Sequence, residues 1–477
     1  MGFSTIDYFI FVVYVCASAG LGFYFARSQR SSQDYFLGNR ELPWLAVSLS
    51  VVATETSTLT FIGIPALAYG SNLMFLQITL GYLLARILVA LIFLPGYFSQ
   101  NATTAYDFIY QRFGDNARKA SSGIFMVTRL LADGVRLFAT AIPLKILTGL
   151  SYPVSIGLIC AVTILYTYFG GLKAVVWLDV IQFLVYLTGA GIAMLIIVDR
   201  LPGGWDQAMS LAGTAGKLEW LDFDFDFSKS YTIWSGIIGG TVFGLASHGI
   251  DQLMVQRLLG CRNLRDSQKA IVGSGVFVIV QFIFFLFMGV LLFAFYQAFP
   301  EKLSVSRNDE IFPLFIANEL PPGVGGLIIA AIFAAAMSTL SSSLNALGSS
   351  TVVDWLKSTR WAQSWDAVLE LKISRLSTIF WGGLLVVTAI FAGSWGNVLE
   401  TGLAVASFTY GGLLGIFLLA RWFKNVDATM AIAAMFTGVA VMFFIWLSET
   451  AIAWPWFVLI GASVTIFGGY AHSFLKR

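Results

Sequence analysis

The chain has 477 residues, of which 58% are hydrophobic and only 11% are charged. This composition excludes a water-soluble globular protein, because several uninterrupted apolar runs exceed the roughly 20 residues that cross the hydrocarbon core of a bilayer. The net charge of +2 gives no reason to expect a nucleic-acid partner.

The apolar runs predict an all-α membrane protein of about thirteen transmembrane helices. No predicted loop is long enough to form a soluble domain, so residues 1–477 are predicted as a single polytopic domain in the lipid bilayer. The predicted spans cover residues 6–26, 44–70, 73–97, 121–148, 152–169, 173–198, 232–257, 270–297, 323–350, 374–395, 398–420, 428–448 and 454–473.

Lysine and arginine concentrate in alternate loops between these spans. Because basic loops stay on the cytoplasmic side, this bias predicts a multi-pass protein of the cell membrane with its N-terminus outside and its C-terminus in the cytoplasm. The residues assigned to the inside or its edge include Arg40, Arg118, Arg257, Lys357 and Arg360.

Two of the predicted spans are interrupted. The second carries Ala-Thr-Glu-Thr-Ser-Thr at residues 53–58, followed by Gly63 and Pro65, and the seventh carries Gly244 and then Ser-His-Gly at residues 247–249. Paired breaks at matching positions indicate a transporter built from inverted repeats that binds where its helices unwind, since lipid cannot satisfy an unwound backbone. For each break, a kink that only permits tight helix packing is the alternative.

The ninth span places five hydroxyl groups inside an apolar segment, at Ser338, Thr339, Ser341, Ser342 and Ser343. Residues three and four positions apart share one face of a helix, so the oxygens of Ser338, Ser341 and Ser342 are expected to converge. Such an oxygen cage suits a small hard cation, and it predicts coupling to Na⁺. The alternative is that these hydroxyls bond to backbone carbonyls one turn back.

Two longer motifs carry a resemblance to a known family. Residues 170–182 read Gly-Gly-Leu-Lys-Ala-Val-Val-Trp-Leu-Asp-Val-Ile-Gln, and residues 251–257 read Asp-Gln-Leu-Met-Val-Gln-Arg. They are similar to the G-G-x-x-A-V-x-W-T-D-x-x-Q and N-Q-x-x-x-Q-R motifs of the sodium:solute symporter family, with Leu178 in place of Thr and Asp251 in place of Asn. The resemblance covers nearly the whole chain.

The resemblance implies a five-plus-five inverted repeat like that of the leucine transporter. The two repeats would cover residues 44–198 and 232–420, with 6–26, 428–448 and 454–473 as peripheral helices. The solute and the ions would meet near the middle of the membrane, and alternating access would carry them across.

The resemblance also implies a sodium ion held between the second and ninth spans. Carried over by position, its ligands would be the backbone carbonyls of Ala53, Thr56 and Ala335 and the hydroxyls of Ser338 and Thr339. Coordination by oxygen alone suits a hard cation, and unwound carbonyls are expected at the break.

Some members of this family hold a second sodium ion, with an aspartate of the sixth span and further serines of the ninth. Asp179, Ser341 and Ser342, with Ser338 shared, match that pattern. An acid this deep in a span is costly unless it is paired or faces water, which makes Asp179 a functional candidate. A hydrogen bond from Asp179 across helices is the alternative.

The stretch from Ser338 to Asp354 resembles the branch of the family that moves iodide, monocarboxylates and vitamins. The polar pocket positions of sugar-transporting members align with Gly244, Val278 and Leu403, a set that would leave sugar hydroxyls unpaired. We therefore expect a small organic anion, preferably a monocarboxylate. A sugar, an amino acid or another neutral solute is the alternative.

Arg136 lies in the middle of the fourth span, where a guanidinium must meet a partner. Its planar fork matches the carboxylate of a solute. Asp133, one turn away, offers a structural ion pair instead, and both interpretations stay open. Glu55 indicates a positively charged ligand instead of an anion, because an acid at the break of the second span would receive an amine or a cation.

Further pocket residues are predicted from their placement near the two breaks. His248 is expected to be a hydrogen-bonded packing histidine, with a proton carrier as the alternative. The predicted solute-binding set is Glu55, Ser57, Thr58, Thr60, Phe75, Gln77, Arg136, Gly244, Ser247 and His248.

No catalytic residues are predicted. The sequence favours a secondary active symporter that couples a small-molecule solute to Na⁺, and not an enzyme. A channel or a membrane sensor on the same fold is the less favoured alternative. No oligomeric state follows from the sequence.

Overall fold

The computed structural model describes residues 4–26, 30–305, 307–393, 398–448 and 450–475. These residues form nineteen α-helices, and their β-structure is a single bridge between Leu42 and Cys261. The protein is therefore all-α, as the apolar runs predict. Residues 394 and 395 of the tenth predicted span lie outside the described residues.

Most of the helices are joined by short connections, and the longest stretch between two α-helices runs from residue 215 to residue 240. Those in the first part of the chain are α1 (Thr5–Ala26), α2 (Ser32–Leu37), α3 (Trp44–Glu55), α4 (Thr58–Gly70), α5 (Leu76–Ile92), α6 (Leu94–Ser99), α7 (Asp107–Phe113), α8 (Asp115–Thr148), α9 (Tyr152–Arg200) and α10 (Gly204–Thr214). The remainder are α11 (Thr241–Gly249), α12 (Gln252–Leu259), α13 (Leu264–Ala298), α14 (Ile311–Glu319), α15 (Val324–Ser350), α16 (Ala367–Ala392), α17 (Val398–Trp422), α18 (Ala428–Leu447) and α19 (Phe457–Leu475).

Within the described chain, nine helices are long and apolar enough to cross a membrane, or ten if the bent pair α3 and α4 counts as one span. The predicted number of about thirteen is not confirmed, and three regions explain the difference. Helix α9 covers 49 residues, but Gly171 interrupts it with non-helical φ and ψ angles between the two spans that were predicted there. Helix α8 carries Arg129, Asp133 and Arg136 in its apolar part, and the seventh predicted span is divided among a π-helical segment, α11 and α12.

Helix α9 bends at Gly171, inside the first family motif. Gly171 has a φ of 54°, in the left-handed region that favours glycine. A Cβ atom at this position would lie 2.6 Å from the backbone oxygen of Tyr35 in α2. The glycine is therefore required by both the backbone turn and the close approach of α2.

The centre of the protein is α15, which packs most extensively against α9 and also contacts α1, α8 and α16. The side chains from Ala334 to Ser350 are almost all buried. Alanine and serine dominate this stretch, and small side chains let neighbouring helices approach closely. Helix α13 packs against α3, α4 and α5, so the break between α3 and α4 lies in the interior.

Candidate functional site

The break predicted in the second span is present between α3 and α4. The two helices are bent by 65° at the break, where Thr56 and Ser57 have ψ angles of 88° and 175°. Backbone carbonyls in the last turn of a helix have no partner within the helix. The carbonyl of Thr54 accepts a hydrogen bond from Thr339 Oγ1 at 3.0 Å. The break therefore faces the hydroxyl-rich part of α15.

The serine hydroxyls of α15 have two kinds of partner. Ser338 Oγ donates to Asp179 Oδ1 at 2.6 Å. The hydroxyls of Ser341 and Ser342 donate to the carbonyl of Ser338 at 3.1 and 2.6 Å. This carbonyl bonding is the alternative to an oxygen cage, and in this structure it takes up both hydroxyls.

The other predicted sodium ligands lie in the same buried region. Ala53 and Ala335 are fully buried, and Thr339 Oγ1 lies 3.4 Å from the carbonyl oxygen of Ala335. The hydroxyl of Thr56 donates to a carbonyl one turn back at 2.8 Å and accepts from Gln281 Nε2 at 2.6 Å. Its hydroxyl is thus occupied, and the backbone carbonyl is the group of Thr56 that remains for a cation.

The region offers oxygen atoms and no transition-metal site. Among the described residues, no group of three or more His, Cys, Asp or Glu side chains could hold a metal ion. Hydroxyl, carbonyl and carboxylate oxygens are the donors that hard cations prefer. The donor set around the break therefore fits Na⁺.

Asp179 is fully buried, and Ser338 is one of several partners. Its Oδ2 accepts from Ser50 Oγ at 2.5 Å and from Arg257 Nη2 at 3.3 Å. Arg257 also contacts the hydroxyl of Ser342. The sequence interpretation placed Arg257 at the cytoplasmic edge of a span, but its side chain is only 1% exposed. The final position of the second family motif was the sequence signal for this residue.

A cavity of about 190 Å³, here named the central cavity, lies beside the break. Its wall includes aromatic side chains, among them Tyr82, Phe243 and Trp454. Seven residues of the predicted solute-binding set line it, namely Glu55, Ser57, Thr60, Phe75, Arg136, Ser247 and His248.

Three residues of the predicted solute-binding set do not line the central cavity. Thr58 accepts a hydrogen bond from Thr140 Oγ1 at 2.9 Å on the side of α8. Gln77 holds the loop that follows α10, donating to the carbonyl of Tyr231 at 3.1 Å and accepting from the N–H of Asp222 at 3.0 Å. Gly244 packs closely against α5.

The comparison with sugar transporters involves two further positions. Val278 is fully buried and does not line the central cavity. The side chain of Leu403 lies outside the part of the chain that the structure describes.

Glu55 is held by two basic groups at the edge of the central cavity. Arg86 Nη2 contacts Glu55 Oε2, and His248 Nε2 lies 3.2 Å from Glu55 Oε1. On the other side of the imidazole ring, Ser247 Oγ lies 2.8 Å from His248 Nδ1. His248 is thus hydrogen-bonded between helices, as expected, and the partner that the sequence interpretation missed is the fully buried Arg86.

Arg136 forms an ion pair with Asp133, the structural partner considered from the sequence. Its Nη1 lies 3.3 Å from Asp133 Oδ1, and its side chain is 29% exposed. Asp133 is shared with Arg129 at 3.7 Å, and Arg129 Nε lies 3.8 Å from Asp251 Oδ2. Arg129 and Asp133 are both 2% exposed, so Arg136 is the member of this group that the cavity reaches most freely.

A second, smaller cavity of about 10 Å³ lies next to the central cavity. It is bordered by Ser57, Arg136 and Thr339 together with Asp133 and Thr140. Ser57 and Arg136 border both cavities. This small cavity therefore lies between Arg136 and Thr339 of α15.

Curated proteins with similar sequences cover most of this chain. The human sodium/iodide cotransporter is 33% identical over 460 residues, which are 94% of this chain and 70% of that protein. The mouse sodium-coupled monocarboxylate transporter 2 is 29% identical over 455 residues, covering 93% and 72% of the two chains. The sodium/sialic acid symporter NanT of Aliivibrio fischeri is 29% identical over 98% of this chain and 93% of that protein.

Two solved structures share the fold. A Na⁺-coupled sialic acid symporter in a substrate-bound outward-open state superposes with a TM-score of 0.90 at 28% identity, covering 99% of this chain and 98% of that one. Mhp1, a nucleobase-cation-symport-1 family transporter in a closed conformation, superposes with a TM-score of 0.61 at 13% identity, over 93% and 94% of the chains. At that identity Mhp1 supports the fold alone.

The family model described as sodium:solute symporter family matches residues 35–438. This match confirms the resemblance inferred from the two motifs, and the relatives are sodium-coupled transporters and not enzymes. Na⁺ is accordingly the coupling ion of the family, and a small-molecule solute is its cargo. The chain belongs to the sodium:solute symporter family and is a multi-pass membrane protein.

Proposed function

We propose that this protein is a secondary active symporter that couples a small organic anion, preferably a monocarboxylate, to Na⁺ by alternating access. The supporting observation is that Ser57 and Arg136 border both the central cavity and the small cavity that reaches Thr339. A carboxylate at Arg136 would lie beside the hydroxyl proposed to hold Na⁺. Each ligand would then favour binding of the other, which is the thermodynamic requirement for coupling.

The charges around the central cavity favour an anion over a cation. Glu55 has two basic partners, Arg86 and His248. Arg136 is paired with Asp133, but its side chain is still 29% exposed and lines the cavity. Two of the relatives are named for iodide and for monocarboxylates, which are anions. The aromatic wall would receive the apolar part of an organic acid.

We assign solute binding to the predicted set, with seven members at the cavity wall. In this proposal Arg136 takes the carboxylate, and the hydroxyls of Ser57, Thr60 and Ser247 offer hydrogen bonds. Thr58, Gln77 and Gly244 would act indirectly, through the packing of the elements that carry the wall.

The first sodium site is proposed at the carbonyls of Ala53, Thr56 and Ala335 and the hydroxyls of Ser338 and Thr339. The hydrogen bond between Thr339 Oγ1 and the carbonyl of Thr54 supports it, because it places an oxygen of α15 against the unwound segment. Oxygen atoms on two helices allow a cation to lock the two helices together.

The second sodium site is proposed at Asp179, Ser341 and Ser342, with Ser338 shared. Arg257 contacts both Asp179 and Ser342 in this conformation. Sodium binding at this site therefore requires the guanidinium to move, since two cations would otherwise compete for one carboxylate.

The proposed architecture follows the family pattern, with about thirteen spans in the cell membrane. The repeats would comprise residues 44–198 and 232–420, and the peripheral helices would comprise 6–26, 428–448 and 454–473. The basic loops support an outside N-terminus and a cytoplasmic C-terminus.

The decisive experiment is uptake into proteoliposomes after a thermal-shift screen of small carboxylates, sugars and amino acids, each with Na⁺ or choline. We expect stabilisation by a carboxylate that depends on Na⁺, and uptake driven by an inward Na⁺ gradient. A membrane potential should add to uptake if two Na⁺ accompany one monovalent anion, because one charge crossing 100 mV yields about 2.3 kcal/mol.

Other outcomes would support the rival functions. Sodium-dependent stabilisation by a sugar or an amino acid alone would favour a neutral-solute symporter. Currents far above carrier turnover would indicate a channel, and sodium-independent binding without uptake would indicate a sensor.

A further inference from the structure

Arg129 is a buried cation at the wall of the central cavity that the proposed solute-binding set does not include. Its side chain is only 2% exposed. Its Nη2 donates to Tyr410 Oη at 3.3 Å, but Nε, which is also buried, has no hydrogen-bond partner among the described residues. A buried N–H group without an acceptor is costly, which favours an acceptor supplied from the cavity.

The two carboxylates around Arg129 balance its charge without using its donors. Asp133 Oδ1 lies 3.7 Å from Nη1, and Asp251 Oδ2 lies 3.8 Å from Nε. Both distances exceed that of a hydrogen bond. Each carboxylate has closer partners, since Ser343 donates to Asp133 Oδ2 and Tyr410 Oη donates to Asp251 Oδ2 at 2.5 Å. Arg129 is therefore compensated when no solute is bound and still has N–H groups for one.

Arg129 and Arg136 reach the same place. They are seven residues apart on α8, which is two helical turns, so they share a face of the helix. Their Nη1 atoms approach the same oxygen, Asp133 Oδ1, at 3.7 and 3.3 Å, and both residues line the central cavity. Two guanidinium groups this close to each other repel. A further carboxylate between them would reduce that repulsion.

The cavity wall beside Arg129 is aromatic. The rings of Tyr410 and Phe243 meet edge to face with centroids 5.7 Å apart, and Phe243 meets Trp454 in the same way at 5.5 Å. All three residues line the central cavity. Aromatic side chains bury the apolar body of an organic solute, whereas a halide ion has no such body. This wall therefore favours an anion with a carbon skeleton.

We propose that Arg129 is a second solute-binding residue, that Arg129 and Arg136 together clamp one carboxylate group of the solute, and that this clamp selects an organic carboxylate over a halide. The inference rests on the proposed function, because it concerns the same solute site. A planar guanidinium pairs with the two oxygens of a carboxylate through parallel hydrogen bonds, whereas a halide is a single spherical acceptor. In the clamp, Nε of Arg129 finds its missing acceptor in the solute.

The test measures the binding of three radiolabelled probes, propionate, benzoate and iodide, to the purified full-length protein. Equilibrium dialysis uses HEPES neutralised with NaOH or with choline hydroxide, so that the probe is the only halide or carboxylate added. The central variant is Arg129→Lys, which keeps the positive charge near Asp133 and Asp251 but removes Nε and the planar fork.

The matched control is Arg118→Lys on the same helix. Arg118 also lies beside two acids, Asp107 and Asp115, and its buried Nε also has no hydrogen-bond partner among the described residues. It does not line the central cavity. The control therefore reports what the loss of a guanidinium on α8 does away from the solute.

We expect the parent to bind propionate or benzoate at least about tenfold more tightly than iodide in the presence of Na⁺. Arg129→Lys should raise the dissociation constant of the carboxylate about tenfold, the loss expected for a hydrogen bond between charged groups. It should change that of iodide less than about threefold, because the charge is kept. Arg118→Lys should leave both constants at the parental values. The ratio of the two constants is diagnostic, because a purely structural defect weakens both probes together.

The inference is overturned if Arg129→Lys keeps the parental ratio of carboxylate to iodide affinity, whether both constants rise or neither does. It is also overturned if the parent binds iodide but neither carboxylate. If Arg129→Lys does not fold, the double variant Arg129→Gln/Asp251→Asn takes its place, because it removes both charges of the pair, and the same fall in the ratio is expected. A parent that binds no probe in Na⁺ would refute the proposed function together with this inference. Sodium-dependent carboxylate binding that Arg129→Lys leaves unchanged would refute this inference alone.

Discussion

Arg257 donates from Nη2 to Asp179 Oδ2 at 3.3 Å, and both side chains are at most 1% exposed. The pair joins α12 to α9, and the two residues are 78 positions apart in the sequence. It lies in the group of residues proposed for the second sodium ion. Ion-pair geometry and sodium binding therefore compete for the same carboxylate.

Asp179→Asn should destabilise the protein by about 3–5 kcal/mol, because removing one partner leaves the buried guanidinium of Arg257 uncompensated. The double variant Asp179→Asn/Arg257→Gln should recover much of that loss. Unfolding in detergent measures both effects. The single variant Arg257→Gln completes the comparison. If the losses of Asp179→Asn and Arg257→Gln simply add in the double variant, the two side chains are not energetically coupled.

The same Asp179→Asn variant should lower the number of coupled ions. We expect a smaller Hill coefficient for Na⁺ and a lower charge-to-solute ratio in proteoliposomes, because the proposed second site loses its charged ligand. A Hill coefficient and a charge ratio equal to those of the parent would assign Asp179 to structure alone.

Thr339→Ala should raise the Na⁺ concentration for half-maximal uptake about tenfold, the change expected when roughly 1.4 kcal/mol of ion binding is lost. Ser338→Ala should act in the same direction. The matched control is Ser377→Ala on α16, whose buried hydroxyl donates to the carbonyl of Ser374 at 2.7 Å, away from the break. Unchanged sodium activation in both α15 variants would exclude the proposed first site.

Arg136→Lys should impair carboxylate uptake more than Na⁺ binding. Lysine keeps the positive charge near Asp133 but loses the planar fork that binds a carboxylate through two hydrogen bonds. Solute uptake and ²²Na⁺ binding, measured on one preparation, separate the two effects. An equal decrease of both would show that the Asp133–Arg136 pair serves the fold.

Gly171→Ala should destabilise the protein by about 1–2 kcal/mol or more, because the left-handed backbone penalises a Cβ atom and Tyr35 already occupies the space. Gly20→Ala is the control, since Gly20 lies in α1 with open space around it. That change should stabilise the protein by about 0.5–1 kcal/mol. Equal unfolding midpoints for the two variants would contradict this explanation of the bend in α9.

The sequence predicted the features that depend on neighbouring residues. Long apolar runs indicated membrane helices, and the polar interruption at residues 53–58 coincides with the bend between α3 and α4. The number of spans was less accessible, because α8 carries Arg129, Asp133 and Arg136 in its apolar part, where they pair with one another and with Asp251. Charge partners on distant segments change what a helix tolerates in a membrane.

The choice of partners was decided by the tertiary structure. The sequence located Asp179, Glu55 and Arg136, and for Arg136 it also offered Asp133 one turn away, since that pair needs only helical periodicity. It did not reveal that Arg257 would reach Asp179 or that Arg86 would hold Glu55, because those contacts arise only when α12 packs against α15 and α5 lies beside the break. Local periodicity fixes which side chains share a helix face, but only packing brings charges from separate helices within a few ångströms of each other.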